Sequence, residues 1–480
     1  MATDIILEDG ALAPAAPPQR TRLRRATANK LPSQGWVSQR ILEKNGHTLT
    51  YVGLVCFTIL IYSKPQDLLH FETNPNLAFL FAAITLLLYI PTQLRLEGRL
   101  SARPRELNIL LAFTALALLS FPLAVSRSSA WTEFNDMFLK AVLMFIVIIN
   151  VVRTEQRLKG LLYLALAIAF ISGASALNNH RVGIGLLEGY RATGMLTGVL
   201  YDPNDMSLYL VMVVPIAAAL AMGTKSLPLK LFYGLCILTM IGGIIVTYSR
   251  GGFLGLVGVV GVFAWKSARR QPVAVVLGLV AFIGFIVLAP GNYVGRIASI
   301  TNPNLDVAGS ADERKELLNL SIQTTLHHPI FGVGFGNFPN VSFREKPSHN
   351  AYTQVSSEMG VFALMVYVLF MIVPILNLKK IEKETFGVPG YERFYALAVG
   401  LQASLVGYMV SSFFLSVAYY WFLYYFVAYA VCLRRIYETG PGRVVGHVTL
   451  TPAMGAPEGI DEIPNATPDL PSTPALRIVS

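Results

Sequence analysis

The sequence predicts an all-α bundle of about twelve transmembrane helices, and three observations carry that prediction. Hydrophobic residues make up 54% of the 480, charged residues only 14%, and the mean hydropathy is +0.54. An ordinary water-facing domain carries about 25% charged residues. Apolar runs recur along the chain, each at or near the length that crosses ~30 Å of hydrocarbon as a helix. Basic residues gather in alternate loops, as Lys and Arg do on the cytoplasmic side of polytopic proteins. These observations exclude a soluble enzyme, a disordered scaffold and a nucleic-acid-binding domain. The net charge of +10 and the pI of about 9.4 therefore report topology, not a nucleic-acid partner.

Residues 1–45 are polar, basic and rich in Pro and Ala. They lack the apolar stretch of a secretory signal and read as a disordered cytoplasmic tail. Residues 46–435 form the membrane domain, with apolar runs near 47–63, 75–93, 107–125, 136–152, 158–177, 205–223, 229–248, 251–265, 272–289, 358–377, 395–413 and 416–433. Residues 436–480, rich in Pro, Ala and Thr, read as a second disordered cytoplasmic tail. Cys56, Cys236 and Cys432 all lie inside apolar runs, with no CxxC or Cys/His spacing for a metal.

With the first tail inside, 27 of the 38 Lys and Arg fall in one set of alternate loops and the two tails. That side is then cytoplasmic, with both termini on it. The other 11 basic residues concentrate in two long extracytoplasmic segments, 178–204 and 290–357. The second is far longer than a connection needs, which points to a role of its own. Within it, Ser310 followed by Glu313 reads as a capping box, and 311–327 as an amphipathic helix lying over the membrane face.

The spans are nearly free of ionisable groups, whereas a coupled transporter keeps such groups near the bilayer midplane. Charges collect at the outer helix ends instead, in three pieces. Tyr190-Arg191-Ala192-Thr193-Gly194-Met195 leads into Asp202-Pro203-Asn204-Asp205, where Asn204 and Asp205 are placed to cap the next helix. In Ser249-Arg250-Gly251-Gly252 one span ends and the next returns almost at once, with two glycines allowing a tight reversal. Ser348-His349-Asn350-Ala351-Tyr352 stands just ahead of Glu358, which begins a span. Gly332-Val333-Gly334-Phe335-Gly336-Asn337-Phe338 has the wrong spacing for a dinucleotide loop and reads as a turn permitting close backbone approach. His327 and His328 lack partners at metal-ligand spacing, and no metal site is expected. Two arginines and a histidine at one outer face suit a diphosphate leaving group. Guanidinium groups grip phosphate at any pH, and a neutral imidazole accepts a proton from an attacking hydroxyl.

YRATGMLTGVLYDPND, TYSRGG, HHPIFGVGFGNF and SHNAYTQVSSEMG resemble the signatures of the O-antigen ligase and O-antigen polymerase (Wzy-type) superfamily, over roughly residues 185–375. The first five spans match only in hydropathy. The resemblance implies a GT-C-like glycosyltransferase of the bacterial inner membrane. Such an enzyme moves glycan from undecaprenyl diphosphate to a glycan, lipid or protein acceptor at the periplasmic face, without a nucleotide sugar, cofactor or metal. It further implies that Arg191 and Arg250 hold the lipid diphosphate and that His349 activates the acceptor. Arg314, Asn350, Tyr352 and Glu358 would assist in substrate binding. A flippase or transporter of lipid-linked oligosaccharide is the alternative, and it would need charged groups lining a central path.

Overall fold

The computed structural model describes residues 46–63, 77–196, 198–267 and 310–439. The expected tail at 1–45, the expected tail at 436–480 from residue 440 on, the run at 272–289 and the expected segment 290–357 up to residue 309 lie outside those residues. Each of the other eleven expected runs holds a helix, and so does the stretch expected as an amphipathic helix at 311–327. In chain order these are α1 (Thr48–Ser63), α2 (Leu77–Glu97), α3 (Arg105–Leu123, its last turn 3-10), α4 (Arg127–Val151), α5 (Glu155–Val182), α6 (Pro203–Met222), α7 (Leu227–Val246), α8 (Arg250–Ser267), α9 (Ser310–His327), α10 (Ala351–Thr385), α11 (Glu392–Phe414, again ending in 3-10) and α12 (Trp421–Thr439). Eight of them, α2 to α7, α10 and α11, are long and apolar enough to cross a membrane. Among the described residues the only sheet is a two-residue hairpin, Leu186–Leu187 against Arg191–Ala192. The chain is an all-α polytopic helical protein.

Helix boundaries follow from local chemistry, and several differ from the hydropathy reading. α5 begins where the Thr154 side chain accepts from the Arg157 amide, and it stops at Gly183, whose φ is 76°. Its 28 residues reach about 42 Å at 1.5 Å each, so the helix continues past the apolar run into the segment expected to open at 178. α6 is capped by Asp202, not by Asn204 or Asp205: the Asp202 carboxylate accepts from both of their amides. α10 starts at Ala351 rather than at Glu358, because the Asn350 side chain caps the amides of Tyr352 and Thr353. The break before α12 falls at 415–420, and the helix runs to Thr439, past the expected boundary at 435.

α6 and α11 form the centre, with 78% and 72% of their apolar windows buried, against 22% for peripheral α2. They cross at Gly400, where a Cβ would stand 2.7 Å from that of Ala219, and Ser404 Oγ donates to the Met212 carbonyl at 2.6 Å. Without a hydrophobic drive between helices in lipid, such small-residue contacts and interhelical hydrogen bonds hold the bundle. Ion pairs tie helix ends at one face: Arg153 to Glu97 at 2.6 Å, Arg434 to Glu106 at 2.8 Å, and Lys266 to Glu382. The opposite face gathers the Gly-rich loop, the hairpin, the α7–α8 turn and the start of α10.

Candidate active site

The Gly-rich loop builds one side of the site. Gly332, Gly334 and Gly336 have φ of 64°, 103° and 65°, and Gly360 interrupts α10 with φ 84°. That region is open to glycine and strained for other residues. A Cβ on Gly332 would lie 2.2 Å from the Glu358 carbonyl carbon, and one on Gly360 2.2 Å from the Ile330 carbonyl oxygen. Loop and kink therefore interlock. The Val333 amide donates to the Ser357 carbonyl, the Gly334 amide to that of Glu358, and the Val361 amide to that of Pro329, at 2.9, 2.9 and 2.8 Å.

This interlock holds Glu358, a residue only 1% exposed. Its carboxylate accepts from the amides of Gly336 at 3.0 Å and Phe338 at 3.3 Å, and from the Tyr419 hydroxyl at 2.5 Å. Buried carboxylates need such donors. The Phe335 ring lies on the Tyr419 ring at 4.1 Å between centroids, and Phe134 and Phe138 pack behind it. These two phenylalanines bound a π-helical turn in α4, a feature frequent at functional sites.

His349 precedes the α10 cap. Its φ of 53° turns the chain sharply, and its amide donates to Ser416 Oγ at 2.8 Å. Burial lowers its pKa to about 4. The positive charges of Arg314 and Lys346 push it the same way, while Glu313 and Asp202 oppose them. The imidazole is therefore neutral at neutral pH and able to accept a proton. Arg314 and Glu313 lie on α9, which is docked by buried Leu317, by Thr325 Oγ1 against Ser356 Oγ at 2.9 Å, and by Lys346 pairing with Glu313.

Arg191 stands at the second strand of the hairpin, 5% exposed. Its Nε donates to the Thr247 carbonyl at 3.0 Å, Nη1 to Glu188 at 3.2 Å and Nη2 to Asn204 Oδ1 at 2.6 Å. It thus joins the hairpin to the start of α6 and to the turn that presents Arg250. That reversal is tight, as expected, but Tyr248 makes it with φ 53°, not the two glycines. Gly251 and Gly252 serve close packing instead, against Phe414 and Ser207.

His349 and Glu358 line one cavity of about 500 Å³, with Asp202, Asn204, Asp205, Glu133 and Tyr419. Asn204, the acceptor of Arg191, links this cavity to the arginine corner. Arg191, Arg250, Arg314, Asn350 and Tyr352 do not line it. Asn350 is occupied as a helix cap, and the Tyr352 hydroxyl donates to the Met409 carbonyl at 2.7 Å. Sequence reasoning missed Tyr419, Glu133 and the cavity-facing side of Asp202 and Asp205. The two aspartates carried a capping signal only, and Tyr419 and Glu133 stand in no pattern. Among the described residues no group of three or more His, Cys, Asp or Glu is placed to hold a metal ion.

No curated protein matches the chain. Residues 235–368 match the family model described as O-antigen ligase, a stretch that contains Arg250, Arg314, His349 and Glu358 but neither Arg191 nor Tyr419. The match supports glycan transfer in O-antigen or polysaccharide assembly as the activity and a multi-pass bacterial membrane protein as its setting. Over residues 235–368 the chain is similar to the O-antigen ligase family, and this similarity supports a relation to the O-antigen ligase and polymerase superfamily.

Proposed function

We propose that the protein transfers a glycan from undecaprenyl diphosphate onto an acceptor hydroxyl at the periplasmic face of the inner membrane, without a metal. The observation that carries this reading is the shared cavity of His349 and Glu358, joined through Asn204 to Arg191, which in turn holds the Thr247 carbonyl of the turn that leads into Arg250. The acceptor oxygen attacks the anomeric carbon as the bond from that carbon to the diphosphate oxygen breaks. The hydroxyl proton passes to the neutral imidazole of His349, and the electron pair leaves with the diphosphate. Arg250, at the first turn of α8, stabilises the charge that develops there. Arg191, already donating to three protein acceptors, fixes the corner and holds the Arg250 turn in place. Glu358 and Tyr419 offer polar contacts to acceptor hydroxyls. A flippase reading finds less support, since the buried Asp, Glu, Lys and Arg among the described residues are Glu106, Arg191 and Glu358, none midway along a span.

The test is a paired measurement on wild type, Arg250→Lys and His349→Ala: binding of an undecaprenyl diphosphate glycan, and transfer rate at saturating donor. His349→Ala should bind donor normally and lose ~10²–10⁴-fold in rate. Arg250→Lys keeps the charge without the planar fork and should lose ~10-fold or more in transfer, about 1.4 kcal/mol. Unchanged transfer by a folded His349→Ala protein removes the histidine from the chemistry.

A further inference from the structure

A second cavity lies at the far end of the same helices. It measures about 400 Å³ and is lined by the start of α3, the last turns of α10 and the end of α12. Its cations are Arg103, Arg105, Lys380 and Arg434, against Glu384 and Glu438. The acids closest to its floor are already engaged. Glu106, 1% exposed, takes both terminal nitrogens of Arg434 at 2.8 and 2.9 Å and the Asn377 amide at 2.7 Å. Glu384 accepts from the Tyr437 hydroxyl at 3.0 Å and faces Lys380 at 3.9 Å. Arg103 and Arg105 are exposed and form no ion pair among the described residues. Pro104 between them contributes no side-chain cap to α3, so the positive end of that helix faces the same space.

The apolar surroundings say what kind of anion fits. On α10, Phe362, Met365, Leu369, Ile372 and Leu376 are all exposed, at successive spacings of three or four residues. They form one stripe along the helix, and the next position on it is Lys380, in the cavity. On α3, Leu111 and Leu118 are likewise exposed on the apolar length that follows Arg105. A ligand with a phosphate at the cations and acyl chains on these stripes satisfies both halves. A soluble anion satisfies only one.

We infer that this cavity binds the phosphate headgroup of an anionic phospholipid of the leaflet opposite the His349 site. Basic pockets between helix ends take such headgroups, and the positively charged lining disfavours a zwitterionic one. The bound lipid bridges α3, α10 and α12, two of which begin or bend at the glycan site. The inference is independent of the proposed transfer chemistry.

The experiment is native mass spectrometry of the full-length protein in detergent, titrated with phosphatidylglycerol or phosphatidylcholine, with and without excess inorganic phosphate. Wild type should prefer phosphatidylglycerol by ~10-fold or more. The triple variant Arg103→Gln/Arg105→Gln/Lys380→Gln should lose that preference. Lys379→Gln/Lys383→Gln, which removes two exposed charges from the same end of α10 outside the cavity, should keep it. Inorganic phosphate should not displace the lipid. The proposal is overturned by a wild type without preference, by a triple variant that retains it, or by a control that loses it equally, which would indicate diffuse surface charge. Full displacement by phosphate would identify a soluble-anion site instead and also overturn it. Thermal unfolding of each variant confirms that lost binding is not lost folding.

Discussion

At the scale of the residue, the site depends on two groups held in unusual surroundings. His349 stays neutral down to about pH 4 because it is buried and faces Arg314 and Lys346. Its pKa is lowered in the fold, so the unfolded chain takes up the proton first, near the ordinary 6.5. Stability from this group is complete above 6.5 and falls as pH drops toward 4. The neutral imidazole, the form proposed to accept the proton, persists in the folded protein down to about pH 4. The acid limb of kcat/KM for transfer, if His349 is the base, should have its midpoint near 4, and a limb at 6.5 would show that the imidazole is not shielded as described. Glu358 is the second group. Tyr419→Phe takes one of its three donors and leaves the two amides of the Gly-rich loop. Depriving a buried acceptor of a partner costs about 1–3 kcal/mol, which should appear as a lower thermal unfolding midpoint in detergent. An unchanged midpoint would mean that the hydroxyl does not support the carboxylate. Tyr419 could not be found from sequence, since it is brought to Glu358 by a chain separation of 61 residues and stands among other aromatics.

At the scale of the element, the kinked start of α10 and the loop that locks it position both groups. Gly360→Ala would place a methyl against the Ile330 carbonyl in a left-handed backbone. We expect it to cost several kcal/mol and to lower the yield of folded protein, with Gly332→Ala behaving alike. Gly261→Ala on α8 is the contrast, because a Cβ there meets nothing within 4 Å. Removing a helical glycine at an open site should be neutral or stabilise by up to ~1 kcal/mol. Equal effects at the two positions, measured as thermal midpoints, would refute the interlock. Periodicity reported the helices well, because an apolar run between charged loops has few other fates in a membrane. It misplaced the start of α10 for a physical reason. Asn350 caps a polar first segment, Ala351 to Glu358, that hydropathy scores as loop, and Gly360 lets that segment continue into the span at a bend. The glycines of the 332–336 loop were legible as close-approach residues, but their partner, the Glu358 backbone, was not.

At the scale of the whole molecule, the arrangement has two unlike ends. One carries the cavity with His349 and Glu358. The other carries the ion pairs Arg153–Glu97, Arg434–Glu106 and Lys266–Glu382 and the cationic cavity. We propose that the second end is cytoplasmic, because the excess of Lys and Arg in its loops follows the positive-inside rule. Reagent access tests that assignment directly. Ser128, exposed at the start of α4, lies at the end that carries His349, and Ser226, exposed between α6 and α7, lies at the other. Each is changed to Cys in a background where Cys56, Cys236 and Cys432 are replaced by Ala. An impermeant thiol reagent added to cells with a permeable outer membrane should label Ser128→Cys within minutes and leave Ser226→Cys unlabelled until the inner membrane is opened. Labelling of Ser226→Cys alone would invert the topology. It would put His349 in the cytoplasm, and transfer at the periplasmic face would fall with it.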